Sequence, residues 1–150
     1  MTMLDTASKR ASLQSCALFS GLDADALNVL AEAVVVETFA AGETICAAGE
    51  PADRVFVIHR GRVAVILPGG TAPVRHMGRH DLVGEYGQFG GVRSSTLVAE
   101  DEATLLSIDY PRFQAMCFRF PSVMHGLLEA AVRRLRAAEA RLAERDVPTR

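Results

Sequence analysis

Three regimes of hydrophobic patterning follow one another along the chain, and they predict different elements. Near the N-terminus Leu27, Leu30, Ala31 and Val34 fall at i, i+3, i+4 and i+7, an apolar stripe on one helix face, with Asp23 placed as N-cap. From about Val35 to Ile108 the pattern changes to short β-branched runs punctuated by glycine. Val34-Val35-Val36 leads into Thr38-Phe39, Ala41-Gly42-Glu43 makes a turn, and Thr44-Ile45-Cys46 is a short strand ended near Ala48-Gly49-Glu50-Pro51. The clearest β signal is Val55-Phe56-Val57-Ile58 and Val63-Ala64-Val65-Ile66-Leu67 on either side of His59-Arg60-Gly61-Arg62, which predicts a hairpin. Pro68-Gly69-Gly70 closes the second strand; Thr96-Leu97-Val98 and Thr104-Leu105-Leu106-Ser107-Ile108 resume the pattern. Many short strands with close turn signals argue for a barrel, sandwich or roll.

The third regime is helical again. Asp109-Tyr110-Pro111 is a helix-start signal and Pro121-Ser122 a second one, because proline suits the first helical turn. The last helix runs from about Pro121 to Arg145, and Leu128, Ala131, Leu135, Ala138 and Leu142 make a heptad-like seam along it. That seam suggests helix-to-helix pairing of two subunits. Residues 1–15 read as a loose N-terminal segment, 16–145 as one domain and 146–150 as a tail. No internal repeat or second domain is visible.

Composition narrows the class. A chain of 150 residues, 49% hydrophobic and 23% charged, has room for one globular core. No run approaches the roughly 18 apolar residues of a membrane span; the richest, from Ala26 to Val36, is broken by Asn28 and Glu32. The N-terminus lacks the apolar stretch of a secretory signal, so a cytoplasmic protein is the simplest expectation. Cys16, Cys46 and Cys117 are far apart and read as reduced, small hydrophobes. A net charge of −2 argues against nucleic acid or an anionic membrane as partner of the whole domain. From Arg133 onward six arginines face three carboxylates, read first as a solvated helix face.

Chemistry concentrates in Leu82 to Thr96. Four glycines lie there, with Glu85 at the entrance and Arg93-Ser94-Ser95 at the exit. Glycines let backbone approach a ligand and turn N–H groups inward, and a short helical turn after Gly84 would aim such groups at an anion. Arg93 offers a planar fork for two phosphate oxygens, and Ser94 and Ser95 add donors. Glu85 repels phosphate but accepts from sugar hydroxyls, with Arg93 nearby to keep it ionised. Phosphate at one end and ribose at the other describe a nucleotide.

These residues, with others in order, resemble the cyclic nucleotide-binding domain family of catabolite activator-type regulators, protein kinase regulatory subunits and cyclic nucleotide-gated channels. Residues about 16 to 142 carry the likeness: Leu18-Phe19 with Leu22, Phe39-Ala40-Ala41-Gly42-Glu43-Thr44-Ile45, Gly49-Glu50-Pro51, Ile58 to Val65, then Val83-Gly84-Glu85 and Arg93-Ser94-Ser95-Thr96. The resemblance implies a mainly β fold with flanking helices, a double-stranded β-helix or jelly-roll-like β-roll. It implies that Glu85 takes the ribose 2′-hydroxyl, that Arg93 pairs with the cyclic phosphate with help from Ser94 and backbone near Gly84, Glu85 and Ser95, and that the closing helix moves over the base. Glu85 and Arg93 are eight apart where the family usually has nine, Ser95 replaces alanine, and Tyr86-Gly87-Gln88 replaces an aliphatic segment. Gly84, Glu85, Tyr86, Arg93, Ser94 and Ser95 are therefore the expected ligand-binding residues. The ligand is cAMP or cGMP, cAMP ranked first, with no further cofactor.

Rival chemistries fare worse. His59, His76, His80 and His125 lack the paired spacing of a metal site, so no metal is expected. No G-x-S-x-G elbow or His–Asp pair activates Ser94, so no catalytic residues are expected either. Arg133, Arg134 or Arg136 are candidates to cover the base by stacking. The expected role is a stand-alone regulatory sensor acting on an unidentified effector protein, with possible homodimerisation through the last helix. The alternative is a nucleotide-free interaction or dimerisation module. After Leu142 no space remains for a helix-turn-helix, so DNA binding would need residues beyond this chain.

Overall fold

The computed structural model describes residues 4–146; residues 1–3 and most of the expected tail, 147–150, lie outside the described residues. Eight strands build the roll: β1 (Val35–Phe39), β2 (Thr44–Cys46), β3 (Arg54–Arg60), β4 (Val63–Ile66), β5 (Arg75–Met77), β6 (Leu82–Val83), β7 (Thr96–Ala99) and β8 (Ala103–Asp109). They form two antiparallel sheets, in the orders β1-β8-β3-β6 and β2-β7-β4-β5. Helices α1 (Thr6–Ser15) and α2 (Ala24–Ala33) precede them, a one-turn α3 (Gly87–Gly90) sits between β6 and β7, and α4 (Tyr110–Arg119) and α5 (Pro121–Arg145) follow. The mainly β fold with flanking helices is the one expected.

Alternation along β3 explains its unbroken apolar run. Val55 and Val57 face outward into a core shared with the helices, where Leu13, Phe19, Leu30, Phe113 and Val123 pack. Phe56 and Ile58 face inward, against Val63, Val65, Val83, Leu97 and Leu105. A strand buried on both faces reads as continuous β-branched sequence rather than as an alternating one. β8 repeats the device, with Leu106 and Ile108 outward and Leu105 inward. The helix starts also follow their sequence signals: Asp23 accepts from the Ala26 N–H at 2.8 Å, and Asp109 from the Arg112 N–H at 2.8 Å.

Two expectations are corrected. The hairpin across His59–Arg62 does not form: β3 pairs with β6 and β8, whereas β4 pairs with β5 and β7. The turn instead carries the chain from one sheet to the other. Gly61 there has φ +95°, and a Cβ on it would lie 2.6 Å from the Glu102 carbonyl oxygen. Two apolar runs around a glycine turn look alike whether the strands pair or face each other across the roll. The segment 1–15 is not loose over its second half, because residues 6–15 form α1. Asp5 caps it by accepting from the Ser8 N–H at 2.7 Å, and Leu13 is fully buried. Leu13 is the only large apolar residue of α1, which leaves no periodicity to detect.

Candidate functional site: a glycine cassette between two arginines

The segment from β6 to β7 is shaped by Gly84, Gly87 and Gly91. Gly84 has φ +83°, and a Cβ there would lie 2.7 Å from the Arg93 guanidinium. A Cβ on Gly87 would lie 2.6 Å from both the Ala52 methyl and the Tyr110 hydroxyl. Gly91 ends α3 in the left-handed conformation at φ +74°, its N–H donating to the Gly87 carbonyl. The Gly49-Glu50-Pro51 loop clips the returning arm: Gly49 N–H donates to Arg93 C=O, and Arg93 N–H to Glu50 C=O, both at 2.8 Å. Pro51 bridges Val92 beside them.

This frame buries two charges. Glu85 is 3% exposed and Arg93 is 4% exposed. Arg93 lies between two rings, 5.4 Å from the centroid of Phe56 and 5.8 Å from that of Tyr110. Its Nη1 donates to the Tyr110 hydroxyl at 3.1 Å and to the Gly84 carbonyl at 3.3 Å, while the Tyr110 hydroxyl donates to that same carbonyl at 2.6 Å. Burial pushes the Tyr110 phenol up, which keeps it a donor at neutral pH. Arg93 Nη2 is buried without a hydrogen-bond partner, with Asp53 Oδ1 at 3.6 Å. A buried cationic nitrogen short of an acceptor is costly, and each such group calls for an explanation.

Residues 36–120 match the family described as the cyclic nucleotide-binding domain. The chain belongs to that family. It is 30% identical over 148 residues to a CRP-like cAMP-activated global transcriptional regulator of Mycobacterium tuberculosis, covering 92% of this chain and 65% of the regulator. It is 34% identical over 122 residues to the cyclic nucleotide-gated potassium channel mll3241 of Mesorhizobium japonicum, covering 81% of this chain and 33% of the channel. Thus it spans under two thirds of these relatives. Among solved structures it is similar to the Thermus thermophilus catabolite activator protein, with TM-score 0.73 and 26% identity over 84% of this chain and 61% of that one. A cyclic nucleotide-binding domain from Methylobacillus flagellatus shares the fold at TM-score 0.76 and 18% identity, over 96% of this chain and 85% of that one.

Gly84, Glu85, Tyr86, Ser94 and Ser95 line one small cavity of about 20 Å³, together with Arg75 and Arg134. Arg93 lies behind that lining, under the Gly84 carbonyl. The guanidinium that meets Glu85 is not that of Arg93, as the sequence suggested, but that of Arg134 on α5, whose Nη1 donates to Glu85 Oε1 at 2.5 Å. Of the three arginines on the last helix considered for the base, Arg134 is the one over the cassette, 5.2 Å from the Tyr86 ring centroid. Burial alone would lower Arg134, but Glu85 and Tyr86 outweigh it and hold its proton more firmly. Sequence reasoning missed Asp53, Phe56, Arg75 and Tyr110. Tyr110 was visible only as a helix start, and the others as strand or loop residues. No helix among the described residues is long and apolar enough to cross a membrane, and no metal-holding group of three or more His, Cys, Asp or Glu occurs among them.

Proposed function

We propose that this domain is a regulatory sensor of a cyclic mononucleotide, cAMP ahead of cGMP, acting in the cytoplasm on an effector protein and signalling through α5 without catalysing a reaction. The observation that carries this reading is Arg93: a buried guanidinium, held by Tyr110 and two rings, with Nη2 lacking an acceptor. A cyclic phosphate supplies that acceptor with charge assistance. Ser94 and Ser95 line the cassette cavity, behind whose lining Arg93 sits, and add hydroxyl donors. Glu85 is suited to a ribose 2′-hydroxyl, because it is buried and acceptor-only when ionised. The regulator and the channel named above are, by their names, cAMP-activated and cyclic nucleotide-gated.

Calorimetric titration of cAMP and cGMP into the wild type and Arg93→Ala tests the reading. Saturable binding to the wild type, lost in Arg93→Ala, is expected. Ligand at about 100 times its Kd should stabilise the fold by roughly 2.7 kcal/mol. No heat and no thermal shift at millimolar nucleotide would overturn the reading.

A second reading is a nucleotide-free dimerisation module. It is favoured by the exposed seam of Leu128, Leu135 and Leu142 on α5 and by the small size of the cassette cavity. Size-exclusion elution that is dimeric, together with the absence of nucleotide binding, would select the module.

A further inference from the structure

Arg93 is not alone over Phe56. Arg54 lies two residues before Phe56 on β3, and therefore on the same face of the strand. Its guanidinium carbon is 4.9 Å from the Phe56 ring centroid, against 5.4 Å for that of Arg93. Two like charges thus share one ring, and the carboxylate that meets both is Asp53. Asp53 Oδ1 accepts from Arg54 Nη1 at 2.9 Å and lies 3.6 Å from Arg93 Nη2. The first distance is a hydrogen bond and the second is not. Asp53 is committed to Arg54, and Arg93 Nη2 is left without an acceptor.

Electrostatics alone would favour the opposite choice. The Arg93 side chain is 3% exposed and that of Arg54 is 29% exposed, so a carboxylate is worth more to Arg93. The Asp53 side chain is itself exposed, with room to turn. What holds it is the fixing of Arg54 from behind. Glu37 on β1 takes two donors of Arg54, Nε at 2.8 Å on Oε2 and Nη2 at 2.9 Å on Oε1. This fork-to-fork pair leaves Nη1 aimed at Asp53. Burial alone would raise Glu37, but Arg54 and Ser107 outweigh it and hold its carboxyl below the ordinary value. The Arg54 proton is held more firmly in turn, by Glu37 first and against the effect of burial. At neutral pH the pair is therefore ionised and Arg54 is locked.

We infer that Arg54 is a positioning residue of the ligand site: locked by Glu37, it keeps Asp53 off Arg93 and so reserves Arg93 Nη2 for an anionic group of the ligand. The inference rests on the cyclic nucleotide reading for the identity of that group, the cyclic phosphate. Without Arg54, Asp53 turns to Arg93 and satisfies Nη2. The phosphate must then displace a carboxylate of its own charge before it binds. Arg54 acts through Asp53 alone, so removing the Asp53 charge as well removes the need for Arg54.

Two arms test it. In the first, cAMP is titrated into the wild type, Arg54→Gln, Asp53→Asn and the double variant. A new charge-assisted competitor should weaken binding about tenfold in Arg54→Gln. The double variant should recover that loss, a rescue that a merely structural role of Arg54 would not show. Asp53→Asn, at an exposed position, should bind about threefold more tightly than the wild type, because a like charge near the phosphate is gone. Wild-type affinity in Arg54→Gln, a double variant as weak as Arg54→Gln, or weaker binding in Asp53→Asn would each overturn the positioning role and leave the nucleotide reading intact. Absence of saturable binding to the wild type at millimolar cAMP would overturn the nucleotide reading, and the positioning role then stands or falls on the second arm. That arm is a crystal structure of Arg54→Gln without nucleotide. Asp53 Oδ1 should close on Arg93 Nη2 to a hydrogen bond of about 2.9 Å. A gap that stays at 3.6 Å, as in the wild type, would overturn the inference whatever the titration shows.

Discussion

The hydroxyl of Tyr110 is the test of how Arg93 is held. In Tyr110→Phe the ring remains against the guanidinium and against the outer core, so packing is nearly unchanged. What disappears is a donor to the Gly84 carbonyl at 2.6 Å and an acceptor for Arg93 Nη1 at 3.1 Å. Gly84 C=O keeps only the longer bond from Arg93 at 3.3 Å, and Arg93, whose Nη2 already lacks a partner, keeps only that carbonyl. The hydroxyl also fills the notch left by Gly87, where a Cβ would come within 2.6 Å of it. Losing a buried partner of a charged group costs about 1–3 kcal/mol. For a chain of this size that is a fall in Tm of about 3–10 °C, read by circular dichroism. Cyclic nucleotide affinity should fall with it, by about tenfold, since a guanidinium freed to turn toward Asp53 is less well placed. A Tm within about 1 °C of wild type, with unchanged affinity, would refute the view that the hydroxyl positions Arg93.

Three further outcomes follow from the geometry. Gly61→Ala puts a Cβ within 2.6 Å of backbone at φ +95° and should cost about 2 kcal/mol or more in urea unfolding, and an unchanged midpoint would show that the turn relaxes freely. Burial, with Arg60 and Arg79 nearby, pushes His59 below its ordinary value, and its ring meets Ser12 Oγ at 2.6 Å. The unfolded chain then binds the proton more readily, so this stability is present above about pH 6.5 and is lost as pH falls from there through the folded-state value. Tm should drop between about pH 7.5 and 5.5, and a His59→Gln variant with the same drop would assign it elsewhere. Replacing both Leu128 and Leu135 by Glu should convert a dimer to a monomer on size exclusion with little change in Tm, because both are exposed; a monomeric wild type would refute pairing through this seam.

The fold was legible where one local pattern has one structural meaning. The stripe of α2, its Asp23 cap, the Asp109 start of α4 and the length of α5 all depend on neighbours within a few residues. Pairing is different, because the residues around Gly61 are equally consistent with a hairpin and with a crossing between sheets. The cassette was legible for the same reason as the helices: Gly84, Glu85, Arg93 and Ser94 lie within one short segment. What holds it comes from afar. Asp53 and Phe56 arrive on or next to β3, Tyr110 from the first turn of α4 and Arg134 from α5, and no periodicity links them to Arg93 or Glu85.

Arg134 marks the boundary between these cases. The sequence offers two seven-residue spacings on α5, offset by a single residue: Leu128, Leu135 and Leu142, and Leu127, Arg134 and Arg141. One residue of offset is about 100° of rotation, which decides whether leucines or arginines face the roll. Pattern alone favours the leucines, since they are the more apolar. The structure buries Val123 and Leu127 instead, leaves Leu128, Leu135 and Leu142 exposed, and so turns Arg134 inward to Glu85. The same rotation leaves the leucine seam exposed and brings an arginine to Glu85. One angle therefore decides both which side chain of α5 reaches Glu85 and which leucines stay exposed.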